Sequence, residues 1–193
     1  MKNLRICVTG GIACGKSTVG NFLKKRGYHI VDADSVCHEL QETPEIISRI
    51  TSAFGDNLLT NDKKICRKIL ADIVFNDSDR LVTLNNIMHP AARKAIDKIF
   101  DDNKKENKQM PIAIIPLVYE AGWEKDWDVI VCVAAPHSLQ ITRLQERGLS
   151  EKEAQKRIDS QMPLQKKMAL ADYVIFNSGT LKCLEEQIKE IFG

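Results

Sequence analysis

Gly10-Gly11-Ile12-Ala13-Cys14-Gly15-Lys16-Ser17 decides the reading of this 193-residue chain. The run fits the spacing G-x-x-x-x-G-K-[ST], and it stands between an apolar stretch at residues 4–9 and a helical pattern at 17–25. The chemistry of the motif needs that context, a strand before it and a helix after it. Glycines let a backbone wrap around a polyphosphate, so that successive N–H groups point inward at the anion. The helix that follows adds its positive N-terminal end. Lys16 has the reach to the β- and γ-phosphates of a nucleoside triphosphate, and the Ser17 hydroxyl is a ligand for Mg²⁺. The expected nucleotide contacts are therefore Gly11, Ile12, Ala13, Cys14, Gly15, Lys16, Ser17 and Thr18. A glycine-rich turn with a chance Lys-Ser pair is the alternative, and the flanking patterns speak against it.

Working outward, residues 28–31, 112–116, 129–134 and 173–176 are apolar or β-branched nearly throughout. That is how strands covered on both faces read. Helical patterns lie between them. Residues 90–100 carry Ala91, Ala95, Ile96 and Ile99 at helical spacing, residues 138–147 end at Gly148, and 181–191 close the chain. Ser150 with Glu153 forms a capping box, and Thr43-Pro44 reads as an N-cap followed by proline at the first helical position. The alternation predicts an α/β fold, a five-stranded parallel sheet flanked by helices in three layers. The gaps at 32–111 and 135–172 are far longer than one crossover needs. Each is expected to hold a helical insertion on the C-terminal edge of the sheet, at 35–108 and 137–170, within a single domain over 1–193. Ligands of open α/β sheets bind at that edge.

Composition narrows the function. Lys+Arg number 28 and Asp+Glu 26, a net charge of +2, which gives no broad basic face for nucleic acid and no acidic tail. Hydrophobic residues at 44% supply a core, and no uncharged run approaches the roughly 18 residues of a membrane span. The start, with Lys2 and Arg5 before ten uncharged residues, mimics a secretion signal, but its apolar part dissolves into Gly10, Gly11 and Gly15. Six cysteines form no C-x-x-C pair and no metal-spaced cluster, so free thiols in a reducing cytoplasm are expected. The charged run at 101–109 reads as a solvated helix end or loop.

Two further groups carry chemistry. Neither D-x-x-G nor N-K-x-D, the GTPase signatures, occurs in the sequence, and the third and fourth strand patterns run into Pro116 and Pro136 instead of an aspartate. The available carboxylates are Asp32 and Asp34, after the second strand pattern. One could support Mg²⁺ while the other takes a proton from an attacking hydroxyl; capping of the next helix is the alternative for either. Arg143 and Arg147 stand four apart on one helical face in the second insertion. Two guanidiniums on a closing flap suit the charge of a transferring phosphoryl group, with solvated surface arginine as the alternative. Arg157 and Lys166 are weaker candidates of the same kind.

These residues carry a resemblance to the dephospho-CoA kinases that spans nearly the whole chain. Besides the opening strand and phosphate loop, it rests on Val31-Asp32-Ala33-Asp34 and on Ile87-Met88-His89-Pro90-Ala91-Ala92-Arg93, similar to the family's H-P-x-x-R. Pro116-Leu117-Val118-Tyr119-Glu120 resembles P-L-L-x-E, and Trp127-Asp128 resembles the W-D before strand four. Gln140-x-x-Arg143-Leu144-x-x-Arg147 resembles the lid segment, and residues 171–179 resemble the closing A-D-x-x-I-x-N-x-G. Ala13-Cys14 replace the family's usual Gly-Ser, and the stretch from Asn61 to Arg67 keeps only a hydrophobe and the arginine of D-G-x-I-D-R.

The resemblance implies a P-loop nucleotide kinase-like fold and ATP-dependent phosphorylation of the ribose 3′-hydroxyl of dephospho-CoA, giving coenzyme A and ADP, with Mg²⁺. It implies Asp34 as base and Asp32 as metal or acceptor neighbour. The first insertion would be the acceptor-binding lobe and the second the lid, with Asn177 and Gly179 by the adenine. Thr9, Asp32, Asp34, His89, Arg93 and Glu120 are the expected acceptor contacts, with a capping or core role the alternative for His89 and a structural role for Glu120; Lys16, Asp34, Arg143 and Arg147 are the catalytic set; Ser17 and Asp32 the metal ligands. The partners expected are these small molecules, with no nucleic acid and no membrane, and the chain is expected to be a monomer. A nucleoside or nucleoside monophosphate kinase is disfavoured by the missing D-G-[FY]-P-R. A catalytically silent ATP sensor would have no use for a base.

Overall fold

The β1 strand (Ile6–Gly10) is buried along its whole length because it has a strand on either side. β3 (Ile112–Ile114) and β4 (Val129–Ala134) both pair with it in parallel, placing Cys7 opposite Ala113 on one side and Ile130 on the other. β2 (Ile30–Asp32) adds outside β3, and β5 (Tyr173–Phe176) outside β4. The sheet order is β2-β3-β1-β4-β5, every pair parallel, as expected from the alternation of patterns. The computed structural model describes residues 4–75, 77–106, 108–109 and 111–193. Lys2 of the signal-like start and Asn107 of the charged run lie outside the described residues.

Strands β4 and β5 have the boundaries read from sequence, and the other three are shorter for identifiable reasons. Arg5 N–H goes to Asp128 Oδ2 at 2.8 Å, so β1 begins at Ile6, two residues after the expected start. Tyr28 N–H closes the end of α1 (Lys16–Lys25) on Leu23 O at 3.1 Å and so belongs to that helix's terminal turn. Ile115 N–H still reaches Val8 O at 2.9 Å, although β3 ends at Ile114. Two aspartates fix the entry of β4. Asp128 is held as above, and Asp172 Oδ2 accepts Ile130 N–H at 2.7 Å.

On one face of the sheet, α1 and α9 (Leu181–Phe192) bury Val19, Leu23, Leu184, Ile188 and Phe192 against Ile6, Val8, Val131, Val133 and Ile175. Alternation sends Cys7 and Thr9 to the other face, where α8 (Leu164–Leu170) packs on β1 and β4. Tyr28 fastens α9, its hydroxyl donating to Phe192 O at 2.8 Å while its ring meets Phe192 edge-on. Gln187 of α9 receives Phe176 N–H on Oε1 at 2.8 Å and donates Nε2 to Phe176 O at 3.0 Å.

Between β4 and β5 lie α6 (His137–Gln145), α7 (Glu151–Asp159) and α8. The capping box at α7 forms in full, with Glu153 N–H on Ser150 Oγ at 3.3 Å and Ser150 N–H on Glu153 Oε2 at 2.8 Å. The Ser150 hydrogen bonds hold the Glu153 carboxyl below its ordinary range. α6 stops two residues short of the expected end. Gly148, at φ 90, turns back to Gln145 O at 2.8 Å and ends the helix, so Arg147 falls in the terminating turn.

The chain divides into two compact units, Ala33–Asp101 and the rest. The first holds α2 (Ala33–Leu40), α3 (Pro44–Phe54), α4 (Arg67–Phe75) and most of α5 (Ser78–Lys105), around Ile46, Ile50, Phe54, Leu58, Leu70, Ile87 and Met88. Thr43 is the N-cap of α3 with Pro44 behind it, though its hydroxyl donates back to Leu40 O at 2.7 Å. Ile65, the hydrophobe retained in the departing segment 61–67, is a core residue here. The helix expected at 90–100 is longer, since α5 starts at Ser78 and carries Pro90 inside it. Proline removes one helical N–H, but Ile87 and Met88 are anchored in the core before it and Ala92, Ile96 and Phe100 are buried after it. Ile96 is buried as expected from spacing, whereas Ala91, Ala95 and Ile99 are half-buried and Ala92 and Phe100 complete the buried line.

No helix among the described residues is long and apolar enough to cross a membrane. Leu23 is fully buried, so Leu23→Ala should cost about 2–5 kcal/mol in urea unfolding. Leu181→Ala, at a residue 65% exposed, should stay within about 0.5 kcal/mol.

Candidate active site

At the end of β1, where neighbouring strands lead off to opposite sides, the loop into α1 is held from behind by side chains. Gln140 Nε2 donates to Ile12 O at 2.9 Å, Arg143 Nη1 to Ala13 O at 3.0 Å, and Asn177 Nδ2 to Cys14 O at 2.9 Å. Lys16 Nζ donates to Gly10 O and Gly11 O at 3.1 and 2.9 Å. The carbonyl and N–H of one peptide point in opposite directions, so engaging carbonyls on the outside turns the N–H groups between them inward.

Gly15 ends this turn at φ 100 and is the N-cap of α1, with no side-chain cap on the helix. A Cβ there would stand 2.0 Å from Asn177 Nδ2, so both backbone and space require glycine. The first N–H groups of a helix lack intrahelical partners; here they open beside the loop, the arrangement that binds phosphate. Thr18 is half-buried in that first turn and Ser17 is exposed.

Beneath the loop, Thr9 is fully buried and its hydroxyl donates to Pro116 O at 3.2 Å. The same carbonyl accepts Lys167 Nζ at 2.8 Å. Lys167 is completely buried and pairs with Glu120 Oε1 at 2.7 Å, which also accepts Met162 N–H at 2.9 Å. Thr9 and Glu120, expected at the acceptor, are thus tied into a polar strut between β1, the turn after β3, and α8.

Burial raises the Cys14 thiol above its ordinary value. Its Sγ accepts Gln140 Nε2 at 2.9 Å. Cys132 is pushed up to about 12 by burial as well. Cys14 is therefore a neutral, packed residue that leaves the loop's backbone chemistry to the peptide groups.

Asp32 ends β2 and is half-buried; Asp34 is exposed in the first turn of α2, in the other unit. His89 and Arg93 stand one turn apart on α5, His89 half-buried and Arg93 exposed. Arg143 is committed to Ala13 O and, at 3.1 Å, to Asn177 O, whereas Arg147 is exposed in the turn after α6. The two arginines do not share a helical face, because the helix ends between them. Gly179 is exposed. A cavity of about 530 Å³ opens beside Gly11 and Ile12, walled by Pro136, Met168 and Phe176. Asn177 turns its amide to the loop. Sequence reading passed over Gln161, whose Oε1 accepts Ile12 N–H at 2.9 Å, and Lys167. Gln161 follows a helix end with no motif to mark it.

A parallel sheet in this order, with G-x-x-x-x-G-K-S at the end of its central strand and helices on both faces, defines a P-loop kinase. Similarity with known proteins narrows the class. The family model for dephospho-CoA kinase matches residues 4–182. The chain is 38% identical to the dephospho-CoA kinase of Chlorobaculum tepidum, covering 98% of this chain and 93% of that one. The solved structure of dephospho-CoA kinase from Campylobacter jejuni is 34% identical with a TM-score of 0.74, over 99% and 96% of the two chains. Shikimate kinase from Acinetobacter baumannii, 14% identical at a TM-score of 0.55 over 97% and 90%, shares the fold. The chain belongs to the dephospho-CoA kinase family.

Burial holds His89 below the ordinary histidine value, so the unfolded chain takes up that proton first as pH falls. The stability is whole above the unfolded value of about 6.5 and is lost as pH drops toward the folded value. Replacing His89 with Gln should flatten the fall of the urea midpoint between about pH 7 and pH 5. An unchanged slope would count against burial as the cause.

Proposed function

We propose that this chain transfers the γ-phosphoryl group of ATP, with Mg²⁺, to the ribose 3′-hydroxyl of dephospho-CoA, giving coenzyme A and ADP. The observation that carries the reading is a phosphate loop whose carbonyls are fastened outward, in a member of the dephospho-CoA kinase family.

In this reading the N–H groups of residues 13–18 and the N-terminus of α1 hold the polyphosphate, and the cavity beside Ile12 takes the nucleoside. Asn177 and Gly179 are its nearer neighbours on the β5 side. Lys16 brings its ammonium from the loop carbonyls to the transferring group, where a preorganised charge in a dry site lowers the barrier most. Asp34 accepts the proton of the acceptor hydroxyl as its oxygen bonds to phosphorus and the bond to the β–γ bridging oxygen breaks. Asp32, His89, Arg93 and Glu120 are the proposed acceptor side, and Thr9, fully buried beneath the loop, supports it from below. The unit Ala33–Asp101 is proposed to carry the acceptor lobe, and residues 137–170 to act as a lid. Arg147 is the guanidinium of that segment proposed to meet the phosphoryl group, and Arg143 keeps the loop in shape from the same segment.

The metal chemistry rests on few protein donors. Among the described residues no three His, Cys, Asp or Glu side chains form a cage. The Ser17 hydroxyl and Asp32 carboxylate are hard oxygens, a set suited to Mg²⁺, which keeps waters and phosphate oxygens in its shell. When bound, the ion neutralises charge on the β- and γ-phosphates. Six free thiols support a reducing, cytoplasmic setting, and the partners proposed are small molecules, with the chain acting as a monomer.

The decisive assay follows ADP release with dephospho-CoA, AMP, a nucleoside, and no acceptor; stoichiometric turnover is expected with dephospho-CoA alone. Lys16→Ala should lower kcat/KM by about two decades or more, and activity within about threefold of the parent would remove Lys16 from the mechanism. Asp34→Asn keeps size and one oxygen but cannot take a proton. Its turnover should fall by roughly two to four decades with ATP affinity little changed; full turnover would refute the base assignment.

A further inference from the structure

Ala13 sits at φ 57, in the left-handed region, and Cys14 N–H closes a turn on Gly11 O at 3.3 Å. A turn with positive φ at its third residue has its central peptide flipped relative to the commoner form, and it selects glycine there. In this loop the flipped peptide joins Ile12 to Ala13, and its orientation decides on which side the Ala13 N–H lies. Alanine favours the unflipped form at negative φ, because its Cβ crowds the following carbonyl in the left-handed region. The flip is therefore held by contacts from outside the turn.

Two amides supply them. Gln140 Nε2 donates to Ile12 O, the carbonyl of the flipped peptide, at 2.9 Å. Gln161 Oε1 accepts Ile12 N–H, fixing the preceding peptide, also at 2.9 Å. Gln140 is 3% exposed on α6, whereas Gln161 follows α7 and is half-buried. Gly11 leaves the room for this grip. Its φ is not positive, yet a Cβ there would stand 2.6 Å from Gln140 Nε2. A side chain at that position would displace the Gln140 amide from this approach.

We propose that Gln140 and Gln161 are positioning residues for nucleotide binding, holding the Ile12–Ala13 peptide in the flipped orientation that alanine at residue 13 does not favour on its own. The proposal rests on the phosphate-loop reading above and adds which residues outside the loop keep it competent. Neither amide needs to touch the nucleotide for this role. They act through Ile12, and their side chains come from two different helical segments that follow β4.

The test is calorimetric titration of the whole chain with MgATP and no acceptor, together with steady-state kinetics. Gln161→Met and Gln140→Met keep length and remove the polar contact. Each should weaken ATP binding by about 3- to 10-fold, the worth of one such hydrogen bond. KM for ATP should rise in the same proportion, while KM for dephospho-CoA stays at the parent value. In an Ala13→Gly background, where positive φ carries no steric penalty, the same substitutions should weaken binding by less than about twofold. That rescue distinguishes positioning from packing, because a packing defect would lower the unfolding temperature and persist with glycine at residue 13. Unaltered ATP affinity in Gln161→Met, or a defect that Ala13→Gly leaves in place, overturns the proposal. Should buried Gln140→Met fail to fold, half-exposed Gln161→Met carries the test alone. The titration needs no acceptor, so the expected binding pattern without turnover of dephospho-CoA would support the positioning role and refute the proposed reaction.

Discussion

Three consecutive carbonyl groups, those of residues 12–14, accept hydrogen bonds from side chains outside the loop, and much of the larger unit is arranged to deliver those donors. The constraint is electrostatic. A loop that is to bind a polyanion must show the anion its N–H groups and keep its carbonyl dipoles turned away, and buried carbonyls that lack a partner are costly. Gln140 and Arg143 come from α6 and Asn177 from the end of β5. Arg143 spans two of the contacts, since one of its nitrogens binds Ala13 O and another binds Asn177 O. The sheet sets these elements around one point. β4 and β5 pair beside β1 in register, so the chain leaving each of them passes behind the loop.

How much of this could be read from sequence depended on whether a signal was local. Gly10 to Ser17 declares itself because the glycines, the lysine and the hydroxyl belong to one turn, and β4 and β5 were legible because both are unbroken apolar runs. The long α5 was not, since Pro90 looks like a start when seen alone and only the tertiary anchoring of Ile87 and Met88 carries the helix through it. The pairing of Arg143 with Arg147 failed on a single turn. Spacing alone put them on one face, while Gly148 at positive φ stops the helix before the second. Gln161 and Lys167 were invisible for another reason. Their partners, Ile12 and Glu120 with Pro116, are remote in sequence, and nothing in a glutamine or lysine announces that it will be buried against a backbone group.

The motif residues outside the loop divide by what they touch. Asp128 and Asp172 hold backbone N–H groups at the entry to the sheet, and Trp127 lies under the Arg5 guanidinium at 5.2 Å. These contacts set strand alignment, not chemistry. Glu120 is shared between a fully buried ammonium and the Met162 N–H, so the segment leading into α8 is tethered to the turn after β3. Gln161 precedes that tether by one residue. The polar strut beneath the loop and the amide grip on Ile12 are thus consecutive along the chain, joined by the Gln161–Met162 peptide.

Gln187 has a consequence that reaches past the single molecule. β5 is an outer strand, and an outer strand offers its backbone as a template for any extended chain nearby. By taking both the N–H and the C=O of Phe176, the Gln187 amide imitates a neighbouring strand for one residue. An intruding chain would find that position filled at the spot where exposed Phe176 would otherwise help to recruit it. The plug lies eleven residues further along than the strand it protects, on the last helix. That position on the edge is filled only while α9 is docked on the sheet, so the last helix guards the last strand as well as packing on it.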